Sequence, residues 1–230
     1  GEVVNADSMQ VFAGLPIGTA APTPEMLAAV PHHLFGYLRP DQEPDAGAWA
    51  RDAAQVIDEV GSRGRLPIVV GGTFFWMRAL FFGLSEIPPV PAEARERVAD
   101  RIRRDGIAAA HARLAEVDPD IAARLAPGDT QRIARALEVF EATGTPLTTF
   151  HARPTTPAVQ ARVLRLILRM PRDMLYARIE ARLDRMFEDG LIDEVSSVLA
   201  AGLPPMARPL KASSYAPVVD FLATRCDRAT

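Results

Sequence analysis

The sequence predicts an α/β fold: a mainly parallel sheet flanked by helices, with a helical insertion domain. Three observations lead there. Short apolar runs at Val3-Val4, Leu66 to Val70 and Val163 to Leu168 alternate with segments of helical spacing, the pattern of a parallel sheet whose crossovers are helices. The first two runs stop at polar or glycine-rich clusters, Asn5, Asp7, Ser8 and Gln10 in one case and Gly71-Gly72-Thr73 in the other. Both clusters therefore fall at the carboxyl ends of strands, where open α/β sheets carry their sites. Finally, the stiff stretch Ile87-Pro88-Pro89-Val90-Pro91 is followed by helical signals alone as far as Gly144. The expected division is an α/β core of residues 1–88 and 145–230 with a helical insertion at 89–144.

Taken in order, Val3 and Val4 form a buried strand that ends at the polar cluster. Gly14, Pro16 and Gly18 then forbid regular structure, so the cluster sits on a loop held by a rigid strand, with Asp7 as the candidate carboxylate. A helical stretch covers Pro24 to Val30, and the alternation of residues 31–38 suggests a short strand. Its adjacent His32 and His33 point to opposite faces, which argues against a shared metal. From Asp45, a candidate N-cap, residues Trp49, Ala53, Val56, Ile57 and Val60 recur at helical spacing up to Gly61 or Gly64, and Trp49 reads as core. Leu66 to Val70 reads as a fully buried strand. Its continuation through Gly-Gly-Thr into a helix puts backbone amides and the Thr73 hydroxyl at a helix N-terminus, where anions are stabilised.

The insertion contains an arginine- and glutamate-rich helix, Ala92 to Arg104, and an alanine-rich one, Ile107 to Val117. Asp129 caps a further helix that runs to Thr143 and is stopped by Gly144. Gln131, Arg132 and Arg135 sit in its first turns, where positions 131 and 135, or 132 and 135, share a face, while Ile133, Leu137 and Phe140 face inward, so this helix start could meet a phosphate backbone and a base edge. Residues Ala161 to Met170 return to an expected buried strand. Pro171 opens a helix from Arg172 to Glu188 that Gly190 stops, and another runs from Leu191 to Ala201.

With 230 residues, 48% of them hydrophobic, the chain can bury a sizeable core. A net charge of −3 weighs against indiscriminate coating of nucleic acid. Yet the basic residues cluster at Arg95 to Arg104, at Arg132 and Arg135, and from Arg162 to Arg185, while Lys211 is the one lysine. Arginine forks suit phosphate recognition. The lone cysteine, Cys226, excludes an internal disulfide and a cysteine-built zinc cage. No apolar run approaches the ~20 residues that span a bilayer and no charged-then-apolar leader opens the chain. A soluble, cytoplasmic, monomeric protein without a membrane partner is the expectation.

Four stretches together resemble the tRNA dimethylallyltransferase (isopentenyl-tRNA transferase) family: Asn5-Ala6-Asp7-Ser8-Met9-Gln10, Gly71-Gly72-Thr73, Asp129 to Val139, and Pro171-Arg-Asp-x-Leu-Tyr-x-Arg-Ile-x-x-Arg. The resemblance covers roughly residues 1–210. It implies a sheet related to the P-loop nucleotide-binding core. The implied activity is transfer of a dimethylallyl group from dimethylallyl diphosphate to the exocyclic amine of the adenosine 3′ of the tRNA anticodon. It further implies that Asp7 is the catalytic base and that Ser8, Met9 and Gln10 line the pocket of the flipped adenosine. Thr73 would sit beside the reacting adenosine and the leaving diphosphate. Arg178, with Arg182 as alternate, would hold the diphosphate. Arg95 and the run Gln131, Arg132, Ile133, Ala134 and Arg135 would meet the anticodon stem-loop, and Mg2+ would bridge diphosphate oxygens with no dedicated metal ligands on the chain.

The sequence also departs from the family pattern. No Gly-x-x-x-x-Gly-Lys-Ser/Thr loop occurs, Phe74-Phe75-Trp76-Met77 replaces a small-and-tyrosine continuation, and Lys211-Ala212-Ser213-Ser214-Tyr215 replaces a lysine-alanine-apolar-glycine pattern. The N-terminal phosphate loop and the C-terminal end thus read as missing. Two other readings stay open: prenylation of free adenine nucleotides, and a non-catalytic tRNA-binding remnant.

Overall fold

The computed structural model describes residues 1–223, and Cys226 lies outside the described residues. The chain divides into two compact units, one formed by Gly1–Phe82 with the residues from Pro157 onward, the other by Gly83–Thr156.

The first unit is built on a parallel three-stranded sheet of β1 (Glu2–Asn5), β2 (His32–His33) and β3 (Pro67–Val70), in the order β2-β1-β3. Val3 lies opposite both His32 and Ile68, and Asn5 opposite Val70. Parallel neighbours need long crossovers. Helix α1 (Pro24–Ala29) lies on the way from β1 to β2, and α2 (Ala46–Ser62) joins β2 to β3. Asp45 caps α2 as its position predicts, its side chain accepting from the Ala48 amide at 2.6 Å. The buried stripe of α2 contains Trp49, Ala50, Ala53 and Val60. Helix α3 (Phe74–Phe82) buries Trp76, Ala79 and Leu80. The Trp49 and Trp76 rings stack 4.9 Å apart at 27°, an aromatic pair that contributes roughly 0.5–1.5 kcal/mol beyond its buried area.

The second unit is all helix: α4 (Ala92–Val117), which changes direction at Gly106, then α5 (Pro119–Ala122), α6 (Thr130–Thr143) and α7 (Leu147–His151). Val98, Leu114, Ile133, Leu137, Leu147 and Phe150 meet in its own apolar core. Asp118 is the buried charge in that unit, and it is fully used: its carboxylate accepts from the Ile121 amide, the Thr148 amide at 2.9 Å and the Thr148 hydroxyl at 2.6 Å.

The chain then returns to the first unit through α8 (Arg172–Glu188), α9 (Leu191–Ala200), a 3₁₀ turn at Pro209–Lys211 and α10 (Ala216–Leu222). Leu191, Val195, Leu210, Tyr215 and Val218 are buried there. Among the described residues no helix is long and apolar enough to cross a membrane.

Two expectations need correction. The strand expected over Leu66 to Val70 forms at Pro67–Val70 and is not fully buried: Ile68 is 43% exposed, and Val70 and the preceding Leu66 more so. It lies at one end of the strand order, and no described element covers the side that these residues present. Residues 161–170 form no strand. Leu164, Leu166, Ile167 and Leu168 are exposed, Leu168 at 99%. A strand needs a ladder partner for its N–H and C=O groups, and neither edge of the sheet pairs with this segment among the described residues. The chain just before it is tied by the Ala158 and Val159 amides to the Leu80 carbonyl, at 3.0 and 3.2 Å, and within it the Arg165 guanidinium stands 5.3 Å from the Phe82 ring centre.

Candidate active site

Asn5 closes β1 and organises the turn into the polar cluster. Its side chain is fully buried and every polar atom is paired: Nδ2 donates to the carbonyls of Asp7 (3.1 Å) and Leu34 (2.9 Å), and Oδ1 accepts from the Asp7 amide (2.8 Å). Its backbone carbonyl takes the Trp49 indole N–H at 2.9 Å. The turn is thereby clamped to the loop after β2 and to α2. Asp7 emerges half-buried, with Oδ1 accepting from the Met9 amide at 2.8 Å. That bond makes an Asx turn. It also orients the carboxylate, whose Oδ2 carries no hydrogen bond among the described residues.

The second cluster meets the first directly. Thr73 Oγ1 accepts from the Ser8 amide at 3.0 Å and donates to Ser8 Oγ at 3.2 Å, while the Thr73 amide donates to the Ala6 carbonyl at 3.1 Å. This approach requires a glycine: a Cβ on Gly71 would stand 2.2 Å from the Ala6 carbonyl carbon. Past Thr73, Trp76 turns into the core, whereas Phe74, 81% exposed, and Phe75 do not. Gln10 completes the group, its Nε2 donating to the carbonyls of Thr19 (3.1 Å) and Ala20 (2.7 Å). On the loop bonded to the Gln10 carbonyl, burial and the Asp52 carboxylate push Tyr37 up to about 12, so it stays protonated.

The structure thus joins Asp7, Met9, Ser8 and Thr73 through hydrogen bonds on one loop, while Gln10, next along that loop, is bonded to the Thr19 and Ala20 carbonyls instead. Arg178 and Arg182 lie on the solvent-exposed α8, and no hydrogen bond or ion pair engages either guanidinium among the described residues. None links them to the Asp7 loop either. In the helical unit Arg95, Gln131, Arg132 and Arg135 are exposed. Arg132 pairs with the cap residue Asp129 at 2.5 Å, and Arg135 stands 3.8 Å from Glu138. Ile133 is fully buried in that unit's core and Ala134 half-buried, and the Ile133 amide is taken up by the Asp129 carbonyl at 3.0 Å.

A family model described as IPP transferase matches residues 10–230. The chain belongs to the IPP transferase family. Among its relatives it is 45% identical over 226 residues to a tRNA dimethylallyltransferase of Geobacter sulfurreducens, covering 98% of this chain and 73% of that one. It is 46% identical over 232 residues to the tRNA dimethylallyltransferase of a Bradyrhizobium species, covering 99% and 75%. The solved tRNA isopentenylpyrophosphate transferase of Bacillus halodurans superposes on all of this chain and 71% of its own, with a TM-score of 0.63 at 34% identity. A eukaryotic dimethylallyltransferase solved acting on tRNA superposes on 97% of this chain and 56% of its own, with a TM-score of 0.74 at 26% identity. The parallel sheet with its flanking helices is this family's architecture.

For an IPP transferase, the donor set bears on the implied magnesium. No group of three His, Cys, Asp or Glu side chains among the described residues can hold a metal ion. The Asp7 carboxylate and the Ser8 and Thr73 hydroxyls are hard oxygen donors, which fit an ion carried mainly by phosphate oxygens and water. Three features of the site had little sequence signal: the full engagement of Asn5, the close approach at Gly71, and two residues from far along the chain, Glu194 and Tyr215, that reach the loop after Gln10.

Proposed function

We propose that this chain is a tRNA dimethylallyltransferase that works through the Asp7 carboxylate. What carries the reading is the arrangement of Asp7 at the carboxyl end of β1, with one oxygen held by the Met9 amide and its loop bonded to Thr73, in a chain of this family. The acceptor amine is a weak nucleophile because its lone pair is delocalised into the purine. As nitrogen bonds to C1 of the dimethylallyl group, the C1–O bond to diphosphate breaks, the electron pair leaves with diphosphate, and Asp7 takes the nitrogen's proton. Positioned proton transfer of this kind contributes about 10²–10⁴-fold.

Ser8, Met9 and Gln10 line the pocket for the flipped base, since a base in a stacked loop is out of reach. Thr73 faces the diphosphate at the start of α3, and Arg178, unpaired among the described residues, is available with Arg182 for fork-type contacts to the leaving group. Asp7, Ser8 and Thr73 are the oxygens on this chain that would hold a magnesium ion, which would supply neutralisation of the diphosphate charge. Arg95 and the Gln131 to Arg135 turn of α6 meet the anticodon stem-loop, making the helical unit the tRNA-binding insertion. The relatives' names favour tRNA over a free adenine nucleotide as acceptor.

The test is single-turnover transfer of a labelled dimethylallyl group to an anticodon stem-loop RNA. Asp7→Ala is expected to lower the rate about 10²–10⁴-fold while RNA binding stays within a few-fold. Equal rates in the two proteins would remove Asp7 from the chemistry.

A further inference from the structure

One carboxylate far along the chain holds the loop that comes after the candidate base. Glu194 lies in the first turn of α9. Its Oε2 accepts from the Ile17 amide at 2.8 Å, and its Oε1 accepts from the Gly18 amide at 3.0 Å and from the Tyr215 hydroxyl at 2.8 Å. Tyr215 is completely buried, with the Leu15 carbonyl 3.0 Å from its hydroxyl. Burial and the Glu194 carboxylate push its ionisation far up, so it remains a donor. Gly18 admits the ring, since a Cβ there would stand 2.3 Å from it.

The next two residues of the same loop present the Thr19 and Ala20 carbonyls to Gln10 Nε2, at 3.1 and 2.7 Å. Two carbonyl acceptors decide which way an amide is turned. They also use both hydrogens of the Gln10 amide. What Gln10 has left for a ligand is Oε1, which only accepts.

We propose that Glu194 and Tyr215 are positioning residues that lock the Gln10 amide with its oxygen as the free group, so that the pocket takes a purine bearing an amino donor and rejects one bearing a carbonyl there. This rests on the reading of Asp7 to Gln10 as the base pocket. The exocyclic amine of adenosine has two hydrogens. One goes to Asp7 in the transfer, and the other is accepted by Gln10 Oε1 throughout. Inosine places a carbonyl oxygen against the same oxygen, lone pairs facing lone pairs, and is excluded by repulsion as well as by a missing bond.

The experiment measures binding of fluorescently labelled anticodon stem-loops carrying adenosine or inosine 3′ of the anticodon. The proteins are the unaltered chain, Gln10→Ala, Glu194→Ala, Tyr215→Phe and the Gln10→Ala/Glu194→Ala double variant. A preference for adenosine of about tenfold is expected in the unaltered chain. It should fall close to one in Gln10→Ala and in Glu194→Ala, with no further loss in the double variant, because coupled residues are not additive. Tyr215→Phe keeps the ring and loses one hydroxyl, so it should lower the preference part-way in a folded protein. Independent, multiplying losses from Gln10→Ala and Glu194→Ala would overturn the relay, as would an undiminished preference in both Glu194→Ala and Tyr215→Phe. Undiminished preference in Gln10→Ala, or none in the unaltered chain, would overturn the pocket reading on which it rests.

Discussion

At the scale of single residues, the two ends of β1 show how a short strand can serve opposite purposes. Asn5 pairs every polar atom so that the turn after it is rigid, and Asp7 retains a carboxylate oxygen with no partner among the described residues. At the other end, buried Glu2 accepts from Arg63 at 2.8 Å and from His33 at 2.7 Å, and these contacts hold its carboxyl below the ordinary value of 4.5. A depressed carboxyl contributes stability that is complete above the unfolded value and is lost as pH falls through the folded one. Glu2→Gln is therefore expected to melt lower than the unaltered protein at pH 7, with the gap closing progressively below about 4.5. Thermal melts across that range test it, and a gap independent of pH would mean that the Glu2 charge plays no part.

At the scale of elements, cap chemistry was the most legible part of the sequence. Asp45 and Asp129 cap α2 and α6, and α8 runs from Arg172 to Glu188, each within a residue or two of expectation. A cap is a contact within three or four residues, so the sequence displays it. Asp129→Ala should destabilise the helical unit by about 1 kcal/mol, read as a lowered urea midpoint with an unchanged slope. Strand burial was less legible, because it depends on what pairs with and covers the strand: β3 has an uncovered face, and residues 161–170 have no ladder partner among the described residues. The site divided in the same way. Asp7 and Thr73 stand in compact local clusters, whereas Glu194 and Tyr215 reach the loop at separations of 176 and 200 residues. The guanidinium groups of α8 belong at this scale too. Arg178 is tied up in no ion pair among the described residues, so Arg178→Ala should raise KM for dimethylallyl diphosphate severalfold with α8 itself unchanged by circular dichroism. An unaltered KM would assign the diphosphate to other residues.

At the scale of the whole molecule, two cores of different kinds share one chain. The helical unit closes its own, from Val98 on α4 to Phe150 on α7. Residues 83–156 alone should therefore give a helical circular dichroism spectrum and a single cooperative thermal transition, and a gradual, non-cooperative loss of signal would show that this core is not self-sufficient. The sheet unit has as its centre the stacked Trp49 and Trp76, and these are the only two tryptophans in the protein. One indole is bonded to Asn5, two residues before Asp7, and the other lies three residues beyond Thr73. The molecule thus has a built-in optical label at the candidate site: its entire tryptophan emission, and the exciton couplet of two closely stacked indoles, originate beside the site itself. Ligand arrival can be followed in the unlabelled protein by light alone.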